Sequence, residues 1–345
     1  MYEKLIKEMV DMSVAVGSQP DYTQGGGGNT SVKLDDRLMA VKASGYNLSD
    51  LNASEGYVVV DYKKVCDYYD NVNLDEKRDF YKESGDYVKQ NMIQMPGLKE
   101  GRPSVEAGFH SFLDKYVLHT HSVYGNLLCC TKEGKSIADE LFEKGPYSYL
   151  WLDYIAPGFY LTLEIKKKIE EMKTIPNIIF MGSHGVIITG PTMEEAQKIN
   201  QYVTDKIREK LNITDDYGPV AVKPQEDGSF VTDTKRLVSY LKGADFTDEW
   251  FDSNILYPDQ AAYMLGAITT KGADKKASID LNTGLVKYST SYKEALTLEE
   301  SILAFLYIMD QAKKSNLTTF TMTDDDVAFI MGWEGEQYRK AMLNK

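Results

Sequence analysis

Only four histidines occur in the chain, at positions 110, 119, 121 and 184, and two of them stand two residues apart in the run "YVLHTH". In a strand, alternate side chains share a face. Val117, His119 and His121 therefore point one way, and Tyr116, Leu118 and Thr120 the other. A single histidine on an apolar strand is ordinarily a satisfied core residue. Two imidazoles sent into the same space beside an apolar run are costly unless something binds both. His184, in "FMGSHGVIITG", falls at a turn between two apolar runs and is flanked by Gly182 and Gly185, so its side chain can reach a neighbouring strand end. Three neutral imidazoles with a further position open form the ligand set of a catalytic zinc-like site. With no cysteine in the set, zinc is not separated from cobalt or manganese.

Two further stretches carry chemistry. In "RPSVEAGFH", Ser104 is placed to cap a helix with Glu106 in its first turn and His110 four residues on, sharing its face. A carboxylate there is favoured by the helix dipole by a few tenths to about 1 kcal/mol; beside a metal it would be a general acid/base. For His110, ligation of the metal is open, and support of a site residue from behind or a structural role is favoured over it. The run "GGGGNTS", residues 25 to 31, could be a linker, a dinucleotide fingerprint or a bare loop that lets an anion come close. The dinucleotide reading fails, because no strict G-x-G-x-x-G helix start follows. "GKS" at Gly134 to Ser136 is no phosphate loop either, since Cys129 stands where the first glycine is needed.

A helix with Leu5, Ile6, Met9, Val10 and Val16 on its apolar side opens the chain and stops before Pro20. Extended runs follow at "TSVKL", "LMAVKA" and "YVVVDY". The charged stretch from Tyr68 to Gly101 has no clear period and reads as an insertion or lid-like helix. From Ser104, helix and strand patterns alternate up to a helix capped by Thr192 and Glu195, which makes an α/β body with mixed strands ending near 215. "DDYGPVAVKPQEDGS" is a plausible boundary. Beyond it come a strand pair, "KASIDL" and "GLVKYS", a helix from Thr297 with Ile302, Phe305, Leu306 and Met309 on one face, and a closing "TDDDVAFIMGWEGEQYRKAML". The acids after Thr323 are ordinary helix-start chemistry, and Trp250, Phe251 and Tyr257 read as packing.

Composition narrows the class. The 345 residues are 43% apolar, enough for one large domain with an addition or two modest ones. A net charge of -13 argues against a nucleic-acid binder and against a membrane surface. The opening residues mix acids with apolar positions and lack a signal peptide's apolar core, and no stretch approaches the roughly 20 apolar residues of a membrane span. Three cysteines form no disulfide framework, so a reducing, cytoplasmic setting is expected.

Five blocks, "GGGGNTSVK", "KASGYNL", "RPSVEAGFH", "LHTH" and "SHGVIITGPTMEEA", come in the order and with roughly the spacing of the class II aldolase/adducin family. The chain resembles that family over about residues 1–215. The resemblance implies a three-layer α/β/α fold around a central mixed, mainly antiparallel sheet, leaving 216–345 as a smaller α+β extension. It implies a divalent metal, Zn2+ with Co2+ or Mn2+ as alternatives, on His119, His121 and His184, with Glu106 as the catalytic acid/base. Gly28, Asn29, Ser44, Gly45 and Ser104 fall where the family binds substrate phosphate. Val105 replaces a hydroxyl residue common there, and Arg102 is near enough to compensate. A tyrosine of the neighbouring subunit protonates the aldehyde in the small aldolases; its position here is held by Gly158, so Tyr160 or Tyr154 would substitute. "PGFYL", "RPSVE" and "LYPDQAAY" look closest to the aldolase half of rhamnulose-phosphate aldolase/dehydrogenase fusions.

The activity so implied is cleavage of a ketose 1-phosphate to dihydroxyacetone phosphate and an aldehyde, through a metal-stabilised enediolate, in a homotetramer. Relatives that are pentulose-5-phosphate 4-epimerases typically carry Asp in place of Glu106, keto acid phosphate decarboxylases retain Glu, and adducin-like interaction modules lose the metal histidines.

Overall fold

Seven strands form the central sheet of the computed structural model, which describes residues 2–272 and 274–332. They are β1 (Asn29–Lys33), β2 (Leu38–Lys42), β3 (Tyr57–Asp61), β4 (Tyr116–Thr120), β5 (Tyr149–Leu152), β6 (Ile178–Met181) and β7 (Gly185–Gly190). Their order is β3-β2-β1-β4-β7-β6-β5, antiparallel throughout except for the parallel pair β5 and β6. Strands β2, β3, β4, β6 and β7 are buried at every residue, because both faces carry helices. Tyr116 and Leu118 pack with Met9, Met12, Leu127, Leu128 and Ile199 on one side; Val117, Ile179 and Ile187 pack with Phe109, Leu161 and Ile165 on the other. The strand alternation thus divides two cores, and the result is the expected three-layer α/β/α fold with a mixed, mainly antiparallel sheet.

A second sheet follows: β8 (Val222–Pro224), β9 (Phe230–Thr232), β10 (Ile268–Thr269), β11 (Ala277–Asp280) and β12 (Leu285–Tyr288), in the order β10-β11-β12-β9-β8. The expected hairpin of β11 and β12 is present, antiparallel. The long helix after it spans Tyr292–Lys314 and begins before Thr297, because Ser291 Oγ accepts the Glu294 N–H at 3.2 Å and caps it. Leu298, Ile302, Phe305 and Tyr288 join the same apolar cluster as Met9 and Leu127, so the two sheets share a core. Trp250 and Phe251 pack against Phe305, and Tyr257 is 1% exposed, in keeping with packing roles.

The stretch from Tyr68 to Gly101 is more ordered than its pattern suggests. A helix, Tyr62–Asn71, leaves β3 without a break, and a second, Phe80–Gln90, follows. Tyr69 and Phe80 stack on Phe159, so this insertion is fastened to the body. Helices at Glu3–Gly17 and Met193–Lys210 agree with the pattern, the latter capped by Thr192 Oγ1 at 3.1 Å from the Glu195 N–H. Thr323 likewise accepts the Asp326 N–H at the start of Asp324–Gly332, and the residues from Trp333 of the closing run lie outside the described residues.

Candidate metal centre

His119 is the next-to-last residue of the buried strand β4, and His121 lies just beyond the strand's end. His184 is carried by the turn between β6 and β7, where Ser183 adopts φ 47° and the His184 N–H returns to Met181 O at 3.2 Å. Gly185 lets β7 come close: a Cβ there would lie 2.4 Å from Thr120 O and 3.1 Å from His121 Cδ2. The three imidazoles, all buried, place one nitrogen each within 4.8 Å of the others. Burial, followed by the neighbouring His121 and His184, drives the His119 value well below the usual histidine range, so its ring is neutral.

The tautomers follow from the partners. His119 Nδ1 lies 3.1 Å from Val186 O, and a carbonyl only accepts, so Nδ1 carries the hydrogen. His121 Nδ1 lies 2.5 Å from Asp259 Oδ2, a carboxylate that likewise accepts. Both Nε2 lone pairs are thereby turned toward each other, 3.1 Å apart. Glu106 adds its carboxylate, Oε2 at 3.5 Å from His119 Nε2 and Oε1 at 3.3 Å from His184 Nε2. Lone pairs and a carboxylate gathered out of water repel one another unless they share a cation, and this donor set fits a divalent one.

Glu106 does not lie in a first helical turn. The helix spans Ala107–Phe112 with Glu106 as its N-cap residue, and Ser104 Oγ accepts the Glu106 N–H at 3.2 Å in a turn ahead of it. Nor does His110 join the metal cluster. Asn29 is the cross-strand neighbour of His119 and so shares its face. Its Nδ2 donates to Glu106 Oε2 at 2.7 Å, which leaves Oδ1 to accept from His110 Nε2 at 2.5 Å, while His110 Nδ1 accepts from Ser31 Oγ at 2.7 Å. Burial pushes His110 down to about 3, which keeps it neutral and able to hold that directed chain.

The glycine run has a packing cause. A Cβ on Gly27 would stand 2.1 Å from Asp259 Oδ2, one on Gly28 (φ +67) 2.6 Å from His119 O, and one on Gly25 2.6 Å from Thr297 Cγ2. The Gly25 N–H donates to Glu300 Oε2 at 2.7 Å, the Gly27 N–H to Gln24 O at 3.0 Å, and Lys42 Nζ to Gly26 O at 3.0 Å. Of the donors expected for a phosphate, those of Gly25 and Gly27 are thus occupied within the chain. The run also leads into a strand rather than a helix, so it lacks a dinucleotide site's helix N-terminus.

The other expected phosphate residues are brought together. Asn29 Nδ2 reaches Ser104 Oγ at 3.4 Å, and the Ser44 N–H donates to Arg102 O at 2.8 Å. Lys293 Nζ lies 3.3 Å from Gly45 O. A cleft of about 490 Å3 beside them is lined by Arg102, Ser104, Val105, Lys82, Lys89 and Gly158 among others. Tyr160 is 45% exposed, with its ring on Phe80, Tyr81 and Phe159 rather than on a histidine. Tyr154 packs with Ile255, Ala261, Met322 and Ile330. Gly134 serves packing, since a Cβ there would stand 1.8 Å from Leu128 O.

Asp259, Lys42, Lys293 and Glu300 were not singled out from the sequence. One signal pointed to Asp259: the acid in "ILYPDQAAYML" is surrounded by apolar residues on all sides of a helix, and a carboxylate there needs a partner.

The model of the class II aldolase and adducin N-terminal domain matches residues 7–208. "Uncharacterized oxidoreductase YuxG" of Bacillus subtilis (strain 168) is 30% identical over an alignment of 223 residues that covers 60% of this chain and 30% of that protein. The chain therefore spans less than a third of the length of this curated relative. The N-terminal class II aldolase domain of a conserved protein from Thermoplasma acidophilum is 28% identical, with a TM-score of 0.50, covering 59% of this chain and 92% of that one.

Proposed function

This chain belongs to the class II aldolase and adducin family, and from that premise we propose that it is a metal-dependent lyase cleaving a ketose 1-phosphate into dihydroxyacetone phosphate and an aldehyde. The observation that carries the reading is the convergence of three buried imidazoles and the Glu106 carboxylate on one small space. His119, His121 and His184 would hold a divalent cation, Zn2+ by preference, with Co2+ or Mn2+ able to replace it. When bound, that ion supplies Lewis-acid polarisation of the substrate carbonyl.

The chain's own residues do the rest. Glu106 removes or returns the proton at the carbon beside the carbonyl, and Asn29 keeps the carboxylate turned to that task. Gly28, Ser44, Gly45 and Ser104, with Arg102 at the edge of the cleft, hold the phosphate, so that binding energy aligns the bond to be broken. Tyr160, exposed on its helix, is offered to a neighbouring copy as the group that takes the hydroxyl proton as the aldehyde forms and gives it back to the aldehyde oxygen in the reverse direction, in the homotetramer that the family implies. Residues 1–215 are then the catalytic body and 216–345 an extension of it. Three free cysteines suit a reducing, cytoplasmic setting. Among the described residues no helix is long and apolar enough to cross a membrane.

The test is release of dihydroxyacetone phosphate from a panel of ketose 1-phosphates by Zn2+-loaded protein. The expected result is chelator-sensitive cleavage of at least one of them. Epimerisation of a pentulose 5-phosphate or loss of CO2 from a keto acid phosphate, with no cleavage across the panel, would overturn the reading in favour of another branch of the family.

A further inference from the structure

The carboxylate that grips His121 comes from outside the region matched to the family. Asp259 is carried by the helix Pro258–Met264, which is buried at every residue, and it stands 138 positions from its imidazole partner. We propose that Asp259 is a positioning residue of the metal centre, through which the 216–345 extension fixes His121 as an Nε2 ligand. The proposal rests on the metal-dependent reading of the three histidines.

Three observations support it. Asp259 is 1% exposed and His121 3%, with Oδ2 and Nδ1 2.5 Å apart, so the carboxylate's direction is set by the imidazole and the imidazole's tautomer by the carboxylate. Metal-ligating histidines characteristically donate their second N–H to such a group, which orients the ring and raises its basicity. Next, the backbone has been cleared for the pair: a Cβ on Gly27 would lie 2.1 Å from Asp259 Oδ2 and 3.0 Å from His121 Nδ1. Finally, Asp259 is itself held. Pro258 occupies the first turn, Gln260 Oε1 accepts the Leu256 N–H at 2.8 Å, and Gln260 Nε2 donates to Asn254 O at 2.7 Å. The start of this helix is therefore tied on both sides of the aspartate, and the carboxylate reaches His121 from a rigid base.

The consequence is that the matched region alone supplies the ligands but not the group that orients one of them. The test measures Zn2+ affinity of the full chain by competition with a chromophoric chelator, for the unaltered protein, Asp259→Asn and His121→Ala. Asp259→Asn is expected to weaken Zn2+ roughly 10–100-fold, and His121→Ala to lose the tight site. Unchanged affinity in His121→Ala overturns the metal reading itself. Loss in His121→Ala with unchanged affinity in Asp259→Asn overturns only the role of Asp259. The tautomer provides a second readout that needs no variant to fold. Long-range 1H–15N NMR of the Zn2+-loaded protein should show His121 protonated at Nδ1, and protonation at Nε2 would overturn the proposal.

Discussion

At the scale of residues, scarcity made the site legible. With four histidines in 345 residues, a pair at i and i+2 on an apolar strand stands out, and β4 directs both toward the turn that carries His184. Their partners were not legible, because hydrogen bonds to Asp259, Val186 and Asn29 span long sequence separations that no local pattern records. His110 illustrates the difference. Its spacing from Glu106 left open ligation, support from behind a site residue and a purely structural place, and the hydrogen bonds in the structure are those of support. It holds Asn29, and Asn29 holds Glu106. Replacing His110 by Ala frees the Asn29 amide to turn over and present its oxygen to the carboxylate. Turnover should fall roughly 10–100-fold while metal content stays unchanged, a split that steady-state kinetics and metal analysis together will read. Equal loss of both would mean that the substitution disturbs the metal ligands themselves.

At the scale of elements, strands announced by β-branched runs and the hairpin of β11 and β12 were readable, whereas joints were not. "YVVVDYKKV" passes from β3 into the helix Tyr62–Asn71 with no glycine or proline to mark the change. The Tyr292–Lys314 helix starts at a Ser-x-x-Glu signature that lies ahead of its apolar stripe. That helix also seals the glycine run, through Thr297 against Gly25 and Glu300 on the Gly25 N–H. Burial pushes the Glu300 carboxyl up to about 7, the Gly25 N–H opposes the rise, and Asp50 and Glu299 add to it. A carboxyl whose folded value is raised gives stability that is fully present below its unfolded value, about 4.3, and that is lost as pH rises through about 7. Buried neutral His110 acts with the opposite slope between its unfolded value and about 3, stabilising at high pH and losing that contribution on acidification. Glu300→Gln keeps an acceptor for Gly25 without the charge. Its melting temperature relative to the unaltered protein should therefore climb between pH 5 and pH 8. A difference that stays constant over that range would contradict the assignment.

At the scale of the whole molecule, the sequence separated a matched body from an extension without chemistry, and the structure joins them. The chain changes sheet after residue 215, yet one apolar cluster runs from Met9 to Ala312. The extension supplies Asp259 to a histidine, Lys293 to Gly45 and Glu300 to the glycine run. None of this could be read from composition, because a buried acid and an exposed one look alike until the fold brings a partner. The cleft beside Ser104 is lined by Lys82, Lys89 and Arg102 together with Asp79 and Asp86, and Lys82 pairs with Asp86, so its charge is mixed where the chain as a whole carries -13. The proposed reaction requires this assembled site to move a proton at the carbon beside a phosphorylated ketone's carbonyl. It is tested most directly by NMR of dihydroxyacetone phosphate in heavy water with metal-loaded protein and no aldehyde, following hydrogen–deuterium exchange at the hydroxymethyl carbon. Exchange that requires the metal, and that slows by about 10²–10⁴-fold in Glu106→Gln, is expected. Absence of exchange at confirmed metal occupancy, or full exchange in that variant, would contradict it.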